Sequence, residues 1–199
     1  IVGLSGFAGD SSTKLGITPE TEYEMFGGKE LQELLRGGIT EDNYIEALLR
    51  RNSWAGAEAN AIKELIRSNF HKVIPGTLEI AFELSKTYEL TLLSDHAKEW
   101  VVYINEIHPF LNKVFTHIYY SCFYGVTKRD GPLFEIAIRN LHTKPSQCLF
   151  IDDSERNIQK ASSIGLKTIH FKNCLQLRDE LERRGILENQ LRENFTSDC

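Results

Sequence analysis

Three features of the sequence predict an α/β fold with a parallel sheet and a separate all-helical block. From Ile74 onward, short apolar runs alternate with longer amphipathic runs, so strands follow helices in turn and the crossovers make the strands parallel. Residues 14–73 carry only helix-period patterns. The last strand-like run but one, Cys148 to Asp152, ends in the carboxylate pair Asp152-Asp153, at the strand edge where open α/β sheets build their ligand crevice.

The elements follow in order. Ile1-Val2 reads as a short buried strand that falls into the Gly- and Ser-rich loop GLSGFAGDSS. PETEYEMFGG, KELQELLRGG, TEDNYIEALLRR and AGAEANAIKELIRSNF are helical, divided by Gly27-Gly28, Gly37-Gly38 and Asn52-Ser53. The glycine pairs lack the spacing of a phosphate-binding loop and serve as helix punctuation. Thr40 opens its helix with an acidic first turn, which suits the macrodipole. PGTLEIAFELSKTYE is a Pro-led helix, Leu90 to Ser94 a strand, AKEWVVYINEI a helix and VFTHIYYS a strand. GVTKRDG is a polar loop, PLFEIAIRNL a helix begun by Pro132, and Cys148 to Asp152 the acid-tipped strand. A polar turn with Asn157, a short helix, a strand from Lys167 to Phe171 and the charged helix LQLRDELERRGI complete the chain, and ENFTSDC is expected to fray.

Composition excludes several function classes. At 199 residues and 41% hydrophobic, the chain can bury one good core and a small accessory unit, as a soluble globular protein does. The 23 basic and 28 acidic residues give a net charge of −5 and no basic run that could track a phosphate backbone, so no nucleic-acid or membrane partner is expected. No apolar run approaches the ~20 residues of a bilayer span and no leader precedes Ile1, so a cytoplasmic address is expected. The four cysteines, Cys122, Cys148, Cys174 and Cys199, show no metal-type spacing and predict neither zinc nor disulfides.

Four strand ends carry a set of polar groups in a fixed order: the loop after Val2, Ser94 after LTLL, Lys128 in GVTKRDGP, and Asp152-Asp153 after LFI. Two adjacent carboxylates offer hard oxygen ligands and point to a divalent cation, Mg²⁺. In this order the set resembles the haloacid dehalogenase-like hydrolases, in the branch with a small helical cap inserted after the first strand. LLRGGITEDNYIEALL is similar to that cap's helix pair, VIPGTLEIAFELSKTYELTLLSDHA to the helix and strand of the second motif, and GVTKRDGPLFE to the third.

The resemblance implies a three-layer, Rossmann-like core from residues 1–13 and 74–199, with residues 14–73 as the cap. It also assigns roles. Ser94 and the backbone N–H groups near it would hold phosphate oxygens, Lys128 would neutralise phosphate charge, Asp152 would bind Mg²⁺, and Asp153 would be its hydrogen-bonded neighbour. His96 is either a polar cap or, with Asp95, a candidate ligand contact. Trp100, Tyr103, Tyr119, Tyr120 and Phe123 read as core and cap-interface packing.

In the family, a first-strand aspartate attacks the phosphoryl group and a second, two residues later, acts as general acid and base. Aligned without a gap, the family pattern FDxDGTLxDS falls on Val2 to Ser11, matching Gly6, Asp10 and Ser11 and putting Gly3 and Ser5 in the two aspartate slots. Glycine has no nucleophile and an ordinary serine is no proton shuttle at neutral pH. Asp10 lies too far along the loop to replace them. The expectation is therefore a catalytically silent homologue, a pseudoenzyme that binds a phosphorylated small molecule with weak or ligand-dependent Mg²⁺. The alternatives are an active Mg²⁺-dependent phosphatase of a small phosphorylated metabolite, if the native residues at 3 and 5 are Asp or another residue attacks, and an interaction protein that uses only the fold.

Overall fold

The computed structural model describes residues 26–51 and 58–188. The expected first strand at Ile1-Val2, its loop, the first of the expected helices over most of its length, and the frayed tail lie outside the described residues.

Among the described residues three helices come first: α1 (Lys29–Leu35), α2 (Glu41–Arg51) and α3 (Ala59–Ser68), the last running into a 3-10 turn at Asn69–His71. Thr40 opens α2 as expected, its hydroxyl accepting from the Asn43 amide at 3.2 Å while Asn43 Oδ1 accepts from the Thr40 hydroxyl at 2.9 Å. Leu34, Tyr44, Ile45, Leu48, Ile66 and Phe70 form the apolar centre of this block. The rest of the chain alternates: α4 (Thr77–Ser85), β1 (Thr91–Ser94), α5 (Lys98–Ile107), α6 (Leu111–Val114), β2 (His117–Tyr120), α7 (Pro132–Asn140), β3 (Leu149–Asp152), α8 (Glu155–Ser163), β4 (Lys167–His170) and α9 (Cys174–Arg183). The short α6 takes Val114 out of the expected strand VFTHIYYS, because the amides of Val114 and Phe115 return to the carbonyls of Phe110 and Leu111.

β1 pairs in parallel with β2, and β3 with β4. The register sets Ser94 beside Tyr120 and Asp152 beside His170, and Ser94, Tyr120 and Asp152 line one cavity. Side chains alternate across the sheet as the period of two demands. On one face Leu92 and Ile118 meet α5, and Leu149, Ile151 and Ile169 meet α4 and α9. On the other, Leu93 and Phe150 both pack against the cluster of Phe134, Ala161 and Leu166, and Tyr119 packs against Leu133 and Ala137. Helices on both faces of a parallel sheet make the three-layer α/β arrangement that the sequence predicts.

The two strand pairs share their covering helices but are not bonded to each other among the described residues. The facing edges of β1 and β3 line a cavity of about 840 Å³ that runs down to the helices below. Strands of a parallel sheet with both faces covered are normally buried, yet every residue of β1 and β3 is only partly so.

The helical block is fastened to the α/β part by buried polar contacts. Glu41, 2% exposed, accepts from the Trp100 indole at 2.9 Å and from the Arg67 guanidinium at 2.7 Å. The Ser121 hydroxyl donates to the Leu35 carbonyl at 2.6 Å and accepts from the His96 amide at 3.1 Å. Gly37 follows α1 with φ +72°, and a Cβ there would stand 2.4 Å from the Cys122 carbonyl oxygen, so this approach admits no side chain.

Candidate active site

The site lies at the carboxyl edge of the sheet, where the ends of β1 and β3 face each other across the cavity. Lys128 comes from the loop between β2 and α7, and its Nζ donates to Asp152 Oδ2 at 2.7 Å. Both side chains are well buried, at 14% and 8% exposure. Asp152 Oδ1 accepts from the Ser154 amide and from Asn157 Nδ2, each at 2.9 Å. The carboxylate is thus fixed by three donors, and α8 holds one of them on its first turn.

Asp95 follows β1 and accepts the Lys128 backbone amide at 3.0 Å. Burial raises its carboxyl above the ordinary range, against the pull of the Lys128 charge. Lys128 therefore spans two carboxylates, one through its amide and one through its ammonium. Ser94 ends β1 and lines the same cavity with Asp95, His96, Asp152, Asp153 and Asn157. His96 is 5% exposed, wedged edge-on against Phe70 and Tyr120 with ring centroids at 5.8 and 6.0 Å. Burial, then the nearby Lys128 charge, pull it down to about 3, so it is neutral at ordinary pH.

Ser94, Asp95, His96, Lys128, Asp152 and Asp153, expected from the sequence, thus share one crevice. Asp153 is exposed, and its carbonyl accepts from His170 Nε2 at 2.9 Å. The groups hydrogen-bonded to Asp152 are Lys128, Ser154 and Asn157. Gly3 and Ser5 lie outside the described residues.

Sequence reasoning missed the clamp behind Lys128. Asp130 Oδ2 accepts from both the amide and the hydroxyl of Thr127, at 3.0 and 3.1 Å, and closes the loop locally. Arg36, just past α1, grips the same carboxylate with Nε at 2.9 Å and a terminal nitrogen at 2.6 Å. This fork holds Asp130 down to about 2. The signal was present only in part: Asp at the third position after Thr127 is a local turn pattern, whereas nothing local marks Arg36.

Two carboxylates, a lysine and a strand-end hydroxyl suit an anion with a hard cation beside it. Asp152 offers oriented oxygen, and Mg²⁺ commonly takes one or two protein carboxylates and completes its shell with water and phosphate. Among the described residues no cluster of three or more His, Cys, Asp or Glu forms a self-sufficient metal cage. No described helix is long and apolar enough to cross a membrane.

The chain is similar to known proteins in sequence and in fold. A family model described as haloacid dehalogenase-like hydrolase matches residues 12–171. D-ribitol-5-phosphate phosphatase of Bacteroides thetaiotaomicron is 28% identical over 158 residues, covering 75% of each chain. Glyceraldehyde 3-phosphate phosphatase of Pyrococcus abyssi is 27% identical over 165 residues, covering 77% of this chain and 65% of its own. A haloacid dehalogenase-family enzyme from Bacteroides thetaiotaomicron, solved as a magnesium complex, superposes with a TM-score of 0.67 at 20% identity, covering 82% of this chain and 83% of that one.

Proposed function

The chain belongs to the haloacid dehalogenase-like hydrolases, and on that premise we propose that its crevice binds the phosphate monoester of a small metabolite, with Mg²⁺ on Asp152. The observation that carries this reading is the buried Lys128–Asp152 pair beside Ser94, at facing strand ends over one cavity. The Ser94 hydroxyl and the backbone N–H of Asp95 donate to phosphate oxygens, the His96 N–H being held by Ser121. Lys128 neutralises their charge and is itself held in place by Asp152 and Asp95. A bound Mg²⁺ adds positive charge against the same oxygens. The helical block of residues 14–73 acts as the cap that closes over the ligand.

Turnover depends on what stands between β1 and β3. A strand in that lane would end level with Ser94 and Asp152, where a carboxylate could meet the phosphorus in line. In this reading Gly3 and Ser5 fall in the family's two aspartate slots, so the site binds without forming a covalent bond; losing the nucleophile costs on the order of 10⁶ in rate. One observation favours a second reading, an active phosphatase. The family match begins at residue 12, past both Gly3 and Ser5, so the two aspartate slots need not be theirs, and two relatives are named phosphatases.

Hydrolysis of 4-nitrophenyl phosphate with Mg²⁺, together with calorimetric titration of inorganic phosphate, separates the two. The silent reading expects phosphate binding without turnover, turnover in the Gly3→Asp, Ser5→Asp double variant, and loss of both in Asp152→Ala. Turnover by the unaltered chain that Asp152→Ala abolishes would replace it with the second reading. A chain that binds no phosphate would end both.

A further inference from the structure

Two buried polar groups beside the phosphate site have no use in it. His96 Nδ1 and Tyr120 Oη are both shielded from solvent, and neither has a hydrogen-bond partner among the described residues. Their side chains are 5% and 4% exposed, their rings stand 6.0 Å apart, and both line the cavity. An orphaned buried polar group is costly, and packing alone would favour Phe over Tyr here. The register places Tyr120 beside Ser94, and His96 is the second residue after Ser94. The pair therefore sits one step from the phosphate-binding hydroxyl, on the side where Phe70 of the helical block packs against His96.

We infer that His96 and Tyr120 form a subsite that hydrogen-bonds a free hydroxyl on the organic part of the phosphate ester, selecting hydroxylated esters over unsubstituted ones. The chemistry of the pair identifies the ligand class. The imidazole is held neutral, and burial pushes the phenol up to about 12, so neither group carries charge to match a carboxylate or an ammonium. A hydroxyl both donates and accepts, and so satisfies Tyr120 Oη and either tautomer of His96. Leu92 and the body of the Tyr120 ring, which line the same cavity, give the carbon chain an apolar wall. A site built around such buried polar groups rejects an analogue that lacks the hydroxyl, because the groups then remain unpaired.

This inference rests on the phosphate reading above, and the test separates their failures. Inorganic phosphate, glycerol 1-phosphate and propyl phosphate are titrated calorimetrically, with Mg²⁺, into the full chain and into the variants Tyr120→Phe and His96→Asn, each checked for folding by its thermal transition. The full chain is expected to prefer glycerol 1-phosphate to propyl phosphate by about tenfold or more, one good hydrogen bond in affinity terms. Tyr120→Phe, which removes only the hydroxyl, should reduce that preference to about threefold or less while inorganic phosphate binds as before. His96→Asn, which takes away the imidazole, should likewise reduce the preference to about threefold or less. Equal affinity for the two esters in the full chain, or a preference untouched by Tyr120→Phe, overturns the subsite and leaves the phosphate reading standing. Absence of inorganic phosphate binding overturns the phosphate reading and the subsite with it.

Discussion

Asp130 shows how one carboxylate can organise a site it does not touch. It satisfies the amide and hydroxyl of Thr127, so Lys128 leaves the turn in a fixed direction, and it takes the Arg36 fork, so that direction is referred to the helical block. Asp130→Asn keeps the shape but weakens every one of these bonds, and the pair is only partly buried. The expected loss is about 1–2 kcal/mol at neutral pH. The folded carboxyl is depressed to about 2, against about 3.9 in an unfolded chain, so its contribution is complete above pH ~4 and disappears as pH falls through 2. Urea titrations of both proteins between pH 6 and 2 should show a gap that closes across that interval; a constant gap would mean that the charge is immaterial. Lys128 was legible in the sequence because GVTKRDGPLFE has a motif's shape, and Asp152 because it ends an apolar strand. Asn157 was visible only as a polar turn residue, and Arg36 not at all, since a helix end carries no mark of a loop it meets far along the chain.

At the scale of elements, the period and the punctuation were legible and the contacts between elements were not. α2 begins where Thr40 and its acidic turn predicted, yet Glu41, which local reasoning assigns to the macrodipole, is buried and joins α2 to α3 through Arg67 and to α5 through Trp100. A charge buried with two donors is costly to disrupt from one side, because the donors lose their acceptor in a place water does not reach. Glu41→Ala should lower stability by about 2–4 kcal/mol. The emission of Trp100 should change in the folded state, since its indole N–H loses its partner. A stability change below ~0.5 kcal/mol with unaltered fluorescence would show that helix packing alone holds the block. The short α6 escaped sequence reasoning for another reason: a single helical turn has too few residues to show a period.

For the molecule as a whole, the question is whether two parallel strand pairs behave as one folding unit. Alternating helices and strands predicted a parallel sheet, and the described strands pair in parallel and in register, β1 with β2 and β3 with β4. What unites them is the helical layer. Phe134 of α7, 2% exposed, meets Phe150 of β3 edge-on at 4.9 Å between centroids, and Leu93 of β1 packs against the same cluster. The cluster around Phe134 thus touches both halves. Phe134→Ala should leave a cavity at that junction and cost about 3–5 kcal/mol, a large part of the ~5–15 kcal/mol by which a domain is stable. If the layer makes the sheet one unit, thermal unfolding of the variant remains a single transition at lower temperature, with far-UV ellipticity and tryptophan emission changing together. Two separated transitions would show instead that the β1–β2 and β3–β4 halves unfold independently. The crevice would then be a meeting of two parts, and phosphate binding across Ser94 and Asp152 should fail in the variant at temperatures where each half still persists.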